Sequence, residues 1–270
     1  MKRFYFVSVF LTVCVAMAYA WGQKGHDAIA KIAERHLTPT AKSAIDSILD
    51  GRSIIYWANW LDNASHTPEY AYTKTWHYKN VDEGVRYEEA PANPSGDVVT
   101  AMRAQIEKLS DPSVSKEDAA LALKILVHIT GDLHQPMHMG HATDLGANRV
   151  GVKFFGRDTN LHSVWDSSIL EGGHKWSYSE WAEILDILPE EDASAVADGS
   201  FDDWAKETLN IATVIYREMP AGSKISYNEV ADWTPTVEQQ LLRGGLRLAR
   251  ILNSLFDPSM KQNAPYVPVQ

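Results

Sequence analysis

The chain has 270 residues, 45% of them hydrophobic and 22% charged, with a formal net charge of −10 at pH 7. That content suits one good-sized globular domain, or at most two small ones, and excludes a disordered chain. The acidic balance argues against a protein that grips nucleic acid through an extended basic face.

Residues 1–20 stand apart and read as a cleaved signal peptide. Lys2 and Arg3 form a basic head, residues 4–17 an apolar run, and Ala18-Tyr19-Ala20 a small-x-small cleavage site. The run is short for a membrane span and no stop-transfer pattern follows, so an anchor is not expected. Cys14 as a lipidated residue is discounted, because Val13 stands where a small residue is wanted. The expected product is an exported protein, periplasmic or extracellular. Cys14 is the only cysteine, so the mature chain would have no disulfide and would rely on its core or on metal. Removing Lys2 and Arg3, two positive charges, takes the net charge from −10 to −12.

The remainder reads as one mainly helical, all-α domain over 21–258, with at most a small hairpin and a tail at 259–270. Apolar positions recur at helical spacing over 24–37. Thr38-Pro39 restarts a helix that runs to about 49, with Gly51 as its stop. Ser115 and Asp118 resemble a capping box, and the long apolar helix after them ends before Pro136. Residues 202–218 form an amphipathic helix. Thr236 with Gln239 is expected to cap a last helix that reaches 256, and Gly244-Gly245 to bend it. VGVKFFG, 150–156, is the best strand candidate. Residues 79–97 and 139–149 read as loops, and NAPYVPVQ as a loose end.

Several catalytic patterns are missing: there is no mature cysteine nucleophile, no Gly-x-Ser-x-Gly elbow and no P-loop. Histidine and aspartate stand instead at metal-ligand spacing. His128 and Asp132 are four apart on a helix, so they share one otherwise apolar face. Buried there, they need a partner, and a metal ion supplies one. Pro136 breaks the helix and lets His138 reach a different centre. His162 and Asp166 repeat the spacing. Such a pair is also common as a plain helix-surface contact, but two pairs with a histidine between them favour metal. Asp62 and His77 lie in aromatic surroundings that would keep water off a site. Cleavage after Ala20 would give Trp21 a free α-amine, which with its own carbonyl could chelate an ion that His26 completes.

These motifs (N-terminal Trp, His, WxD, WHY, HxxGDxxQPxH and NLHxxWD) resemble the S1/P1 nuclease family of the zinc phospholipase C superfamily. The likeness runs from Trp21 to Asp166. It implies a trinuclear zinc site: Asp62, His77 and His128 on one ion, Trp21 and His26 on a second, Asp132 bridging these, and His138, His162 and Asp166 on the third. It also implies hydrolysis of single-stranded DNA and RNA to 5′-phosphate products and removal of 3′-phosphates from nucleotides, by a monomer without a membrane anchor. Asp62 would orient the attacking water, Tyr78 would stack on a base, and Asn148 would contact substrate. Three zincs against three aspartates leave the pocket roughly +3 by formal counting, which answers the objection from net charge. Departures exist. Fungal members have an arginine at the position of Ser65 and an aspartate at that of Asn80, so those contacts do not transfer. His36, His66, His134, His141 and His174 match no ligand position and read as supporting or surface residues.

Two rivals remain at this level. A zinc phospholipase C shares the Trp and the HxxGD core, but typically has His-x-x-x-Glu where this chain has His162 and Asp166. A non-catalytic exported zinc protein would instead saturate its ions with protein ligands.

Overall fold

The computed structural model describes residues 21–266; the predicted signal peptide and residues 267–270 lie outside the described part. In chain order come α1 (Gln23–Arg35), α2 (Pro39–Ile48), α3 (Ile54–Trp57), α4 (Trp60–Ala64), a 3-10 helix at Ala71–His77, α5 (Val98–Ser110) and α6 (Lys116–Leu133). A 3-10 turn at Pro136–Met139 follows, then β1 (Gly151–Phe154), β2 (Arg157–Asn160), α7 (Leu161–Ser163), a π-turn at Val164–Ser168 and α8 (Ile169–Gly173). Then come α9 (Tyr178–Leu185), α10 (Glu190–Val196), α11 (Phe201–Glu218), β3 (Lys224–Ile225), α12 (Tyr227–Phe256) and a 3-10 helix at Pro258–Asn263.

Capping chemistry sets many of these boundaries. The Thr38 hydroxyl accepts from the Ala41 N–H, and Pro39 occupies the first turn of α2, where its missing donor costs nothing. Asp97 and Thr100 form a reciprocal box at the start of α5, as do Ser200 and Asp203 at α11. α6 stops at Leu133, and Pro136 opens the 3-10 turn that carries His138, as expected.

One expectation is corrected. α12 starts at Tyr227, where the Ser226 N–H donates to Glu229, and Thr236 lies inside the helix just after Pro235. Burial of the amphipathic face outweighs the one backbone bond that the proline removes. Gly244 and Gly245 serve close approach: a Cβ on Gly245 would meet Ile32 of α1 at 2.5 Å, and one on Gly244 would meet Ile29 at 3.1 Å. The expected small hairpin is β1–β2, and β3 joins it in parallel with β1 to make a small three-stranded sheet. A two-residue strand has no periodicity to read. The β1–β2 turn itself uses Phe155 and Gly156, both at positive φ, as tight hairpins require.

α1 packs along α12, and α5 along α6, around one large core that includes Trp21, Trp165, Trp181 and Trp204. Tyr266 is tied down rather than loose: its hydroxyl donates to Glu107 at 2.6 Å. Among the described residues, no helix is long and apolar enough to cross a membrane.

Candidate metal centre

Five histidines and three aspartates converge from seven segments. His26 lies in the first turn of α1, Asp62 in α4, His77 at the end of its 3-10 helix, and His128 and Asp132 on α6. His138 comes from the turn after Pro136, His162 from α7, and Asp166 from the π-turn. A π-turn spends an extra residue per turn, a device frequent at functional sites, and here it carries Asp166.

Their ligand atoms form three groups that could each hold a metal ion: His26, Asp62 and His128; His77, His128 and Asp132; and His138, His162 and Asp166. His128 belongs to the first two, so these make one continuous cluster. Asp132 is its hub. Its Oδ2 lies 3.0 Å from His77 Nδ1 and 3.2 Å from His128 Nε2. Its Oδ1 lies 3.4 Å from His26 Nε2 and 3.5 Å from His138 Nδ1.

Backbone carbonyls fix three of the rings. A carbonyl only accepts, so the proton sits on Nδ1 where His128 meets Ala58 at 2.7 Å, His138 meets His77 at 2.6 Å, and His162 meets Gly146 at 2.5 Å. Each Nε2 is then turned toward a carboxylate of the cluster. His128 Nε2 faces Asp62 Oδ1 at 3.3 Å, and His162 Nε2 faces Asp166 Oδ2 at 3.4 Å. The His26 ring lies flat against His128, with centroids 4.1 Å apart.

The charges demand compensation. Burial alone would raise Asp132, but the neighbouring His128 and His138 outweigh it and hold it well below the usual carboxylate range. Burial alone would lower His128, but Asp132 and Asp62 raise it well above an ordinary histidine. Burial pushes Asp166 well up and His162 down to about 3. Yet neither Asp132 oxygen accepts a hydrogen bond, and His26 Nε2 and His77 Nε2 are buried without a partner. Orphaned buried donors and acceptors of this kind cost several kcal/mol each, on the order of a lost charged hydrogen bond. Cations held there would satisfy the Asp132 oxygens and His26 Nε2, and an imidazole-and-carboxylate donor set suits zinc.

Trp21 is wholly buried and packs on Gly25. The Gly22 N–H donates to the Asp166 carbonyl at 2.7 Å, which seats this end of the chain beside the third group. A cleft of about 300 Å³ opens above, lined by Asp62, His77, His138 and His162. Tyr78 and Asn148 also line it, although the Asn148 amide already donates to Leu145.

Sequence reasoning missed two residues. Lys74 is the only lysine or arginine lining the cleft, and among the described residues it makes no ion pair; a lysine three residues before His77 carries no pattern. Gln135 is buried and donates to Asp166 Oδ1 at 2.5 Å while accepting from Met137 N–H. It stood within the quoted motif, but its partner is 31 residues away in sequence. Of the unassigned histidines, His134 is fully buried and its Nε2 meets Arg247 at 3.1 Å; His141 stacks on Tyr216 and His174 on Trp176. Ser65 turns its hydroxyl to the Asp62 carbonyl at 3.2 Å.

A helical domain that buries eight such side chains beneath an open cleft has three His/Asp groups that could each hold a metal ion. The family profile for S1/P1 Nuclease matches residues 21–257. Nuclease P1 of Penicillium citrinum is 31% identical, over 87% of this chain and 97% of its own. Endonuclease 3 of Arabidopsis thaliana is 29% identical, over 96% and 97% respectively. Nuclease S1 of Aspergillus oryzae is 29% identical, over 76% and 74%. The chain belongs to the S1/P1 nuclease family, and with it to the nuclease hydrolases.

Proposed function

We propose that this chain is a zinc-dependent endonuclease that hydrolyses phosphodiester bonds of single-stranded DNA and RNA to 5′-phosphate products and also acts as a 3′-nucleotidase. The observation that carries this reading is the convergence of three His/Asp groups at and beneath one open cleft. Asp62, His77 and His128 would hold one zinc, Trp21 and His26 a second with Asp132 between the two, and His138, His162 and Asp166 the third. Bound zinc would supply an acidified water and neutralise charge on the phosphate oxygens.

The chain's own groups do the rest. Asp62 is held below its ordinary pKa by His128 against the opposing effect of burial, so its carboxylate is ionised and can orient the attacking water. Tyr78 offers a ring for a base, which tolerates any sequence. Asn148 has one amide oxygen and one further N–H for substrate. Lys74 supplies a cation for a phosphate. A single strand fits a local cationic cleft in an acidic protein, whereas a duplex calls for an extended basic surface. Residues 1–20 would be removed on export, leaving a monomeric domain over 21–258 with its short tail and no membrane anchor.

The test is to purify the mature protein, measure zinc per chain, and assay single-stranded DNA, RNA and 3′-nucleotides with and without chelator. Three zincs and chelator-sensitive cleavage are expected. A zinc-loaded protein that cuts none of these, or that turns over phosphatidylcholine instead, refutes the proposal.

A further inference from the structure

A ladder of aromatic rings and cations runs over the surface next to the cleft. It begins at Arg52, whose guanidinium lies 4.4 Å from the Tyr56 ring centroid. Tyr56 meets Trp57 edge to face at 4.9 Å. The Lys124 ammonium sits 3.5 Å over Trp57 and 5.6 Å from Trp60, joining the two indoles. Trp60 meets Tyr70 at 5.0 Å, Tyr70 meets Tyr72 at 6.5 Å, and Tyr72 meets Trp76 at 5.2 Å. Every step is a direct contact.

One end of this ladder and its middle touch the scaffold of the His/Asp cluster. Trp76 immediately precedes His77, and its Nε1 is fixed by the Ser95 carbonyl at 2.8 Å. Lys124 stands one helical turn before His128 on the same face of α6. Trp57 and Trp60 flank Ala58, whose carbonyl holds His128.

Packing explains only part of the ladder. Trp57, Trp60 and Trp76 rest on the core. Tyr56 and Tyr72, however, are 60% and 51% exposed, although a tyrosine kept only for packing gains by burial. Among the described residues, neither Arg52 nor Lys124 has a carboxylate partner within ion-pair distance. Edge-to-face rings leave faces open to a flat guest, and unpaired cations attract an anionic one. Glu69, beside Tyr70, repels phosphate in the middle of the ladder, so bases fit there better than phosphates do. A chain of flat bases on an anionic backbone has both properties.

We propose that the ladder from Arg52 to Trp76 is a binding track for the part of a single-stranded nucleic acid that extends beyond the cleft. This rests on the nuclease reading above. Bases stack on Tyr56 and Tyr72, and the backbone passes Arg52 and Lys124. The track gives affinity for long strands and takes no part in the chemistry.

The zinc-loaded enzyme, its Tyr56→Ala/Tyr72→Ala double variant and its Arg52→Gln variant are compared on a dinucleotide and on a long oligothymidylate, with binding of the oligothymidylate followed by fluorescence anisotropy. All three changed side chains are exposed, and circular dichroism checks the fold. Stacking on one aromatic is worth about 1 kcal/mol or more, so the double variant should bind the oligothymidylate at least about fivefold more weakly and raise its KM to match. Its KM and kcat for the dinucleotide should not move. Arg52→Gln should flatten the salt dependence of oligothymidylate binding. Unchanged anisotropy in the double variant, or equal shifts on both substrates, overturns the track. Failure of the wild-type enzyme to cut either substrate refutes the nuclease reading separately, while the anisotropy still decides the track.

Discussion

Replacing Gly131 by alanine tests the architecture of the metal centre in a way that separates site from fold. Gly131 lies inside α6, where alanine is ordinarily favoured over glycine by about 1 kcal/mol. Here the added methyl would stand 2.7 Å from His26 Nδ1 and 3.0 Å from its Cε1. The ring cannot retreat through its other neighbour, because it already lies against His128 at 4.1 Å. It must tilt, which moves Nε2 relative to Asp132 Oδ1, now 3.4 Å away. Overpacking of this size costs about 1–3 kcal/mol, partly offset by the helix term, so the domain still folds. Metal sites are less forgiving, and a misaligned ring lowers affinity by about 10–100-fold. Gly131→Ala should therefore unfold in urea within about 2 kcal/mol of wild type when both are stripped of metal. Under competition with a chromophoric chelator, it should carry less zinc. Wild-type zinc affinity and stoichiometry in this variant would refute the assignment of His26 to the cluster.

Extra residues left before Trp21 should remove the proposed amine ligand, lowering zinc by one ion per chain and abolishing most activity, as elemental analysis beside a nuclease assay would read. Lys74→Gln should raise KM for single strands about fivefold with little change in kcat, and Lys74→Arg should restore most of it, if the cation meets a phosphate; equal loss in both variants would point to packing instead. Gln135→Leu strands Asp166 Oδ1 and the Met137 N–H, so it should cost about 2–4 kcal/mol in urea unfolding and weaken zinc binding at the third group.

The fold was legible where local chemistry decides it. Thr38-Pro39, the 202–218 amphipathic pattern and Pro136 each act within a turn, and each boundary fell within a residue or two of its expected place. It was illegible where distant segments decide. Thr236 looked like a helix start, yet it lies inside α12 just after Pro235, because the residues on both sides have a core to cover. The close approach of Gly244 and Gly245 to Ile29 and Ile32 needs α1 in place to be seen. The site divides similarly. His128 with Asp132, and His162 with Asp166, announce themselves because helical spacing is a sequence property. What orients them does not: the Ala58 and Gly146 carbonyls could come from any loop, and only the fold brings these two to the rings. The same holds for Lys74, which shares one cleft with His162 although 88 positions separate them in the sequence.

Net charge was the most misleading quantity at the level of sequence, and the structure explains why. Net charge describes a surface, whereas affinity for phosphate is set by a few buried groups and whatever they hold. Asp132 and Asp166 are buried among the histidines, so their negative charge is offset by whatever the cluster holds rather than presented at the surface. Against the opposing effect of burial, the neighbouring carboxylates raise His128, and burial raises Asp166, so both groups lean toward their protonated forms when no cation is held. Each divalent ion held there would add positive charge at the floor of the cleft that Lys74 lines. An acidic chain and an anion-binding cleft are therefore compatible, because the two charges sit in different dielectric surroundings, and the buried one interacts with a bound phosphate far more strongly per unit charge.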